Sequence, residues 1–189
     1  MPYHSLGMPP PETAIARPAI IVVMGVSGSG KTTVARLLAE QLSCSMLEGD
    51  SLHSAENIRR MAAGTALGDS DRGDWLASIA QRIAAASRDG RALVVSCSAL
   101  KRRYRDILRQ AEPRLLFVHL TGSKGLIRQR LSQRHDHFMS PALLDSQFDA
   151  LELPGLDELV ISADIAQSPA RIVASVLARL PSSAAGHAL

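Results

Sequence analysis

Residues 25–32 read Gly-Val-Ser-Gly-Ser-Gly-Lys-Thr. They lie between the apolar, β-branched run AIIVVM at 19–24 and the segment KTTVARLLAEQL, in which Val34, Leu37, Leu38 and Leu42 recur at helical spacing. The eight residues match G-x-x-x-x-G-K-[ST], and strand before with helix after is the context in which that motif wraps a polyphosphate. Only glycine-rich backbone brings successive N–H groups close enough to cradle phosphate oxygens, and a helix starting near Gly30 adds the positive end of its dipole. Gly25, Ser27, Gly28, Ser29 and Gly30 are therefore expected to line a nucleotide's phosphates. Lys31 is expected to reach the β- and γ-phosphates, Thr32 to ligate Mg²⁺ through its hydroxyl, and Thr33 to touch the α-phosphate.

The rest of the chain alternates short apolar strands with helices. SMLEG, RALVVSC, RLLFVHL and ELVISA read as further strands. Helical patterns run from about 54 to 63 and 73 to 88, through ALKRRYRDILRQA, from about 124 to 134, and through LLDSQFDAL and PARIVASVLARL. Buried strands alternating with helices predict right-handed crossovers and an α/β architecture, a parallel sheet covered on both faces. A chain of 189 residues is one ordinary domain, long enough to bury a core without disulfides or a structural metal. Residues 19–180 are read as that domain, 1–18, with five prolines, as a disordered leader, and 181–189 as a frayed tail. Cys44 and Cys97 fit no metal or disulfide pattern and point to a reduced, cytoplasmic setting. No apolar run approaches the roughly 18 residues of a membrane span.

Motor and switch NTPases end an apolar strand in a metal-binding Asp, but RALVVSC runs into Ser98 and RLLFVHL into Thr121, and no NKxD-type base reader is present. The strand that ends in a carboxylate is SMLEG-Asp50, which favours a small-molecule kinase. Asp50 is expected to face the crevice at the carboxyl ends of the strands, with His53 three residues on. Arg59, Arg60 and Arg72 fall in the excursion between the second and third strands, where a planar guanidinium suits an acidic substrate. Arg130 and Arg134, four apart on one helical face, precede the aperiodic RHDHFMSP and suit a mobile lid over about 124–141. His135 and His137 lack further ligands and are not read as a metal site.

Five blocks carry a family resemblance: MGVSGSGKT (24–32), GDSLH (49–53), NIRRMAAGTALGDSDRGDWL (57–76), CSALKRRYRDILR (97–109) and RLSQRHDHFMSPALLDSQFDALELP (130–154). Together they resemble gluconokinases of the small P-loop type, over about residues 18–180. The resemblance implies a three-layer P-loop kinase fold with a five-stranded parallel sheet in order 2-3-1-4-5 and a mobile lid. It implies ATP- and Mg²⁺-dependent phosphorylation of D-gluconate at the 6-hydroxyl, an acceptor-binding region at about 50–76, and commonly a homodimer in the cytoplasm. Carried over by position, Lys31, Asp50 and Arg134 would be catalytic and Thr32 would hold the metal. Gly25, Ser27, Gly28, Ser29, Gly30, Lys31, Thr32, Thr33 and Arg130 would bind the nucleotide. Asp50, His53, Arg60, Arg72, Ser98 and Lys101 would surround gluconate. Ser54 and Ala66 stand where the family usually has proline.

A related kinase with another acceptor, such as shikimate, shares the loop and lid and would differ within 50–76. A different class is suggested by charge: residues 1–100 sum to zero, 101–137 to +7 and 138–189 to −4, so the basic stretch is a candidate nucleic-acid surface. Aromatic residues at 3% make base-stacking platforms hard to build, and no nucleic-acid or membrane partner is expected.

Overall fold

The strands are β1 (Ile20–Met24), β2 (Ser45–Glu48), β3 (Leu93–Ser96), β4 (Leu116–Thr121) and β5 (Val160–Asp164) in a computed structural model that describes residues 19–133 and 141–180. All are parallel, in the order β2-β3-β1-β4-β5, the order the family resemblance implies. Every residue of β1 is buried, as its unbroken apolar run requires of a central strand. β2, at the sheet edge, departs from the expectation of a buried strand: Ser45 is exposed and the other three residues are only half-buried.

Alternation along β1 divides the core between two faces. Ile21 and Val23 pack with α1 (Lys31–Gln41), α7 (Pro169–Arg179), Ile127 of α5 (Lys124–Ser132) and Leu144 of α6 (Pro141–Ala150). Ile20, Val22 and Met24 pack with α3 (Gly73–Arg88) and α4 (Arg102–Ala111) on the other face. The remaining helix, α2 (Ala55–Ala62), lies in the excursion between β2 and β3. Ser54, where the family usually has proline, caps α2 by accepting the Asn57 N–H at 3.1 Å. Its φ of −60° is one that proline adopts, so a capping hydroxyl stands where a ring would.

The central strand pairs with β3 on one side and β4 on the other. The chain runs from β1 through α1 out to β2 but crosses from β3 through α4 to β4, so the winding reverses beside β1 and opens a crevice at the carboxyl edge of the sheet. The leader, the tail and residues 134–140 of the expected lid lie outside the described residues.

The basic stretch is not a free positive surface. Arg102 and Arg109 pair with Asp106 and Asp157, Lys124 and Arg128 pair with Asp145, and Lys101 and Arg103 pair with Asp69. Arg105, on the helix read as basic, is buried with Glu158, Nε to Oε1 at 2.7 Å and Nη2 to Oε2 at 3.0 Å. Its Nη1 also donates to the carbonyls of Ala99, Leu100 and Glu152. The acidic C-terminal third thus meets much of the charge of 101–137 within one molecule. Among the described residues, no helix is long and apolar enough to cross a membrane.

Candidate active site

The phosphate loop leaves β1 at Gly25, whose N–H donates to Ser98 O at 3.3 Å and so ties the loop to the end of β3. Two of its glycines are required by both conformation and space. Gly25 has φ +142° and a Cβ there would meet Leu120 O at 2.9 Å, while Gly28 has φ +79° and a Cβ would meet Leu131 Cγ at 2.8 Å. No side chain caps α1, so the N–H groups of its first turn face the loop. Lys31 Nζ is held across the loop by Val26 O at 3.2 Å.

A cavity of about 120 Å³ is lined by Ser27, Gly28, Gly30, Lys31, Thr32, Thr33 and Asp50. A second, of about 330 Å³, shares Gly28, Gly30 and Thr33 and continues past Ser29 and Arg130 to Gln167, Pro169 and Ile172. The first is lined by the phosphate-loop motif and a carboxylate, and the second opens directly beside it. Arg130 is steadied there by donating from Nη2 to Ile165 O at 2.6 Å. Arg134 lies outside the described residues.

Asp50 stands in a short 3₁₀ turn, Gly49–Leu52, directly after β2. The sole tryptophan builds this corner from beneath: Trp75 is buried, its Nε1 donates to Gly49 O at 2.8 Å, and His53 stacks on it with ring centroids 4.4 Å apart. Burial pushes the His53 imidazole below its ordinary value; Asp50 opposes the shift and Arg72 adds to it. His53 is therefore neutral near pH 7, and its Nδ1 is buried without a hydrogen-bond partner among the described residues. The Cys97 thiol, buried behind this corner, is pushed up to about 12, by burial first and then by Asp50, while Lys31 and Arg72 act in the opposite sense. A thiol so raised and fully buried is not poised as a nucleophile, and the charges of Asp50, Lys31 and Arg72 all act on it.

The cations expected around an acidic acceptor are not equivalent. Arg60 Nη1 donates to Asp71 Oδ1 at 2.7 Å, and Lys101 Nζ donates to Asp69 Oδ1 at 2.9 Å. Asp69 also receives the Tyr104 hydroxyl and Arg103. Arg59 pairs with Glu56 on the exposed face of α2. Arg72 has no ion pair within 4 Å among the described residues. Its Nε donates to Leu67 O at 3.4 Å, and its guanidinium lies 5.8 Å from the ring centroids of both Trp75 and Tyr104. Ser98 is half-buried at the end of β3, with its carbonyl engaged by Gly25. The fold thus brings Lys31, Thr32, Thr33 and Asp50 to one cavity and sets His53 and Arg72 beside it, while Arg60 and Lys101 are turned onto carboxylates of the chain.

Sequence reasoning missed two polar side chains. Gln147 of α6 accepts the Ser27 N–H with Oε1 at 2.7 Å; its only signal was its place in the SQF block. Glu48, two residues before Asp50, accepts from Ser96 Oγ at 2.8 Å and keeps Oε2 buried without a partner among the described residues. Its signal was the same strand end that singled out Asp50.

Residues 20–154 match the AAA domain family. The thermoresistant gluconokinase of Escherichia coli is 43% identical over 84% of this chain and 91% of its own length. The gluconokinase of Gluconobacter oxydans is 46% identical over 77% of this chain and 82% of its own. The crystal structure of a gluconokinase from Sinorhizobium meliloti superposes with a TM-score of 0.78 at 48% identity, covering 86% of this chain and 91% of that one. The family model spans the phosphate loop, the Asp50 turn and the excursion between β2 and β3, and the relatives match over most of both chains, so the chain belongs to the AAA-domain family and to the gluconokinases.

Proposed function

We propose that the chain transfers the γ-phosphoryl group of ATP to the 6-hydroxyl of D-gluconate, giving 6-phospho-D-gluconate and ADP. The observation that carries this is the single cavity in which the phosphate loop, Lys31 and Thr32 face Asp50. Phosphoryl transfer needs little covalent help from protein; it needs in-line placement and neutralised charge. The loop amides and Lys31 supply the charge at the transferring group. Asp50 orients the acceptor hydroxyl and takes its proton late in the transfer. Arg130 supports the nucleoside end, in the cavity it shares with Gln167 and Ile172.

Mg²⁺ fits the donor set. Thr32 and Asp50 present oxygen to the same cavity, and among the described residues no cluster of three or more His, Cys, Asp or Glu could hold a metal alone. That suits an ion which keeps several waters and is held mainly by nucleotide phosphates. Thr32 would ligate it, and when bound it would neutralise charge on the β- and γ-oxygens.

Arg72 is assigned to the gluconate carboxylate, with the neutral His53 beside it for the acceptor's hydroxyls. Among the described residues it is the arginine of the acceptor excursion with no ion pair within 4 Å, and its guanidinium lies 5.8 Å from the ring centroids of both Trp75 and Tyr104. Arg60 and Lys101 act one step further out, by holding Asp71 and Asp69 and so shaping the loop that carries Arg72. We place the enzyme in the cytoplasm, which two free cysteines suit, and assign it a homodimer, which light scattering tests.

A coupled ADP-release assay over gluconate, other sugar acids, glucose and shikimate tests the function. Gluconate is expected to give the highest specificity constant. A higher value with shikimate or another acceptor would replace this substrate.

A further inference from the structure

We propose that Gln147 is a positioning residue for phosphoryl transfer: its side-chain oxygen fixes the Ser27 amide of the phosphate loop, and its neutrality is required because it stands beside the phosphates. The contact joins residues 120 apart in sequence, Ser27 N–H to Gln147 Oε1 at 2.7 Å. Ser27 is only 8% exposed and lines the phosphate cavity.

The acceptor atom is held from two sides. Leu143 and Leu144, four and three residues earlier on the same face of α6, are buried. Asp145 is gripped by Lys124 Nζ at 2.9 Å and Arg128 Nη2 at 2.8 Å, which fastens α6 to α5. α5 in turn lies on the loop, with Leu131 and Ile127 against Gly28. Gln147 therefore reaches Ser27 from a helix whose position is already set, and the bond orients the loop.

A loop that binds phosphate through backbone N–H groups works only if those groups converge. With the Ser27 N–H committed to Gln147 and the Ser29 N–H to Val26 O at 3.3 Å, this turn is fixed, and the amides at the start of α1 are left for the nucleotide. Without the acceptor, a nearly buried N–H would be unsatisfied or the loop would turn to satisfy it. A glutamate would accept the same bond, and more strongly. It would also bring a negative charge within hydrogen-bond distance of Ser27, a residue that lines the phosphate cavity, and so add to the repulsion of a polyphosphate. A neutral amide satisfies both demands.

This inference rests on the nucleotide reading of the loop, and the test separates the two. Binding of the fluorescent N-methylanthraniloyl derivatives of ADP and ATP is measured for the wild type, Gln147→Glu and Lys31→Ala, with melting temperatures recorded alongside. Gln147→Glu is expected to weaken ATP by about tenfold or more and ADP by less, because repulsion grows with the charge of the nucleotide. Gln147→Met, which keeps the volume but not the acceptor, is expected to lower kcat by about tenfold with the KM for gluconate unchanged. Equal affinities in Gln147→Glu and wild type, or an equal loss for both nucleotides, would overturn the role of Gln147. Full kcat in Gln147→Met would also overturn it, and serves as the deciding result should Gln147→Glu fail to fold. If Lys31→Ala weakens binding while Gln147→Glu does not, the nucleotide reading stands and this inference falls. A wild type that binds neither nucleotide overturns both.

Discussion

The two ends of the site are built by different means. The nucleotide end is backbone: glycines at positive φ, amides of a helix start, and a loop continuous with the fully buried β1. The acceptor end is made of side chains on an excursion between strands, where Asp69 and Asp71 hold Lys101, Arg103 and Arg60, and a His–Trp stack props up Asp50. Backbone geometry leaves little room for change, whereas side-chain pairs can be re-dealt one at a time. On the proposed function, the first end therefore sets what kind of reaction runs, and the second sets which acceptor enters.

The largest effect is expected where the acceptor end has a buried ion pair. Arg105 supports the 99–101 connection through the carbonyls of Ala99 and Leu100 and pairs with Glu158, both side chains being fully buried. Among the described residues, Arg105→Ala leaves the buried Glu158 carboxylate with only the Gly155 N–H at 2.9 Å and the Arg102 guanidinium at 3.6 Å, and should lower stability by roughly 3 kcal/mol in denaturant titration. A loss below about 1 kcal/mol, the range of a surface pair, would show that this end has no rigid base.

Lys31→Ala sharpens the contrast from the other side. It should reduce kcat by at least about 100-fold, roughly 3 kcal/mol of barrier, with unchanged circular dichroism and an unchanged KM for gluconate. Near-normal turnover would contradict the role of the loop. A smaller effect is expected at Ser54, where loss of the α2 cap in Ser54→Ala should cost about 1 kcal/mol of stability. Ser54→Pro trades the cap for a fixed φ that already matches, and should come out closer to wild type in the same titration.

The mildest expected effect is on pH dependence. Burial lowers the imidazoles of His53 and His119; at His119 the Arg105 charge adds to it, while at His53 Asp50 opposes the shift and Arg72 adds to it. Unfolded histidine titrates near 6.5, so both contribute stability that is present above about pH 6.5 and is lost as pH falls toward their lower folded values. Melting temperature should decline between pH 7.5 and 5.5, and less steeply in His119→Gln. An unchanged slope in that variant would remove His119 from this account.

What could be read in the sequence follows the same divide. A contiguous motif announces the phosphate loop, because its glycines are needed where they stand whatever lies far away. The inner strands are legible for a similar reason, since burial on both faces leaves an unbroken apolar run. Arg60 and Arg72 could not be told apart. Their difference lies in Asp71, which sits in the aperiodic GTALGDSDRGD segment and engages one of them by ion pair. The burial of Arg105 was hidden because α4 looks basic throughout and its partner lies 53 residues away. Gln147 was hidden by a separation of 120 residues. Local chemistry is written locally, whereas side chains that meet across the fold become legible only once the sheet is assembled.

The central claim is that the loop performs the transfer while Arg72 selects an acidic acceptor. The direct measurement is the ratio of kcat/KM for gluconate to that for glucose, in the wild type and in Arg72→Ala. A guanidinium positioned for a carboxylate is left unmatched by a neutral sugar, so the wild type should favour gluconate by a factor of about 100 or more. In Arg72→Ala the ratio should collapse toward unity while the KM for ATP is unchanged. A wild-type ratio near one, or a large ratio that survives loss of Arg72, would contradict this account.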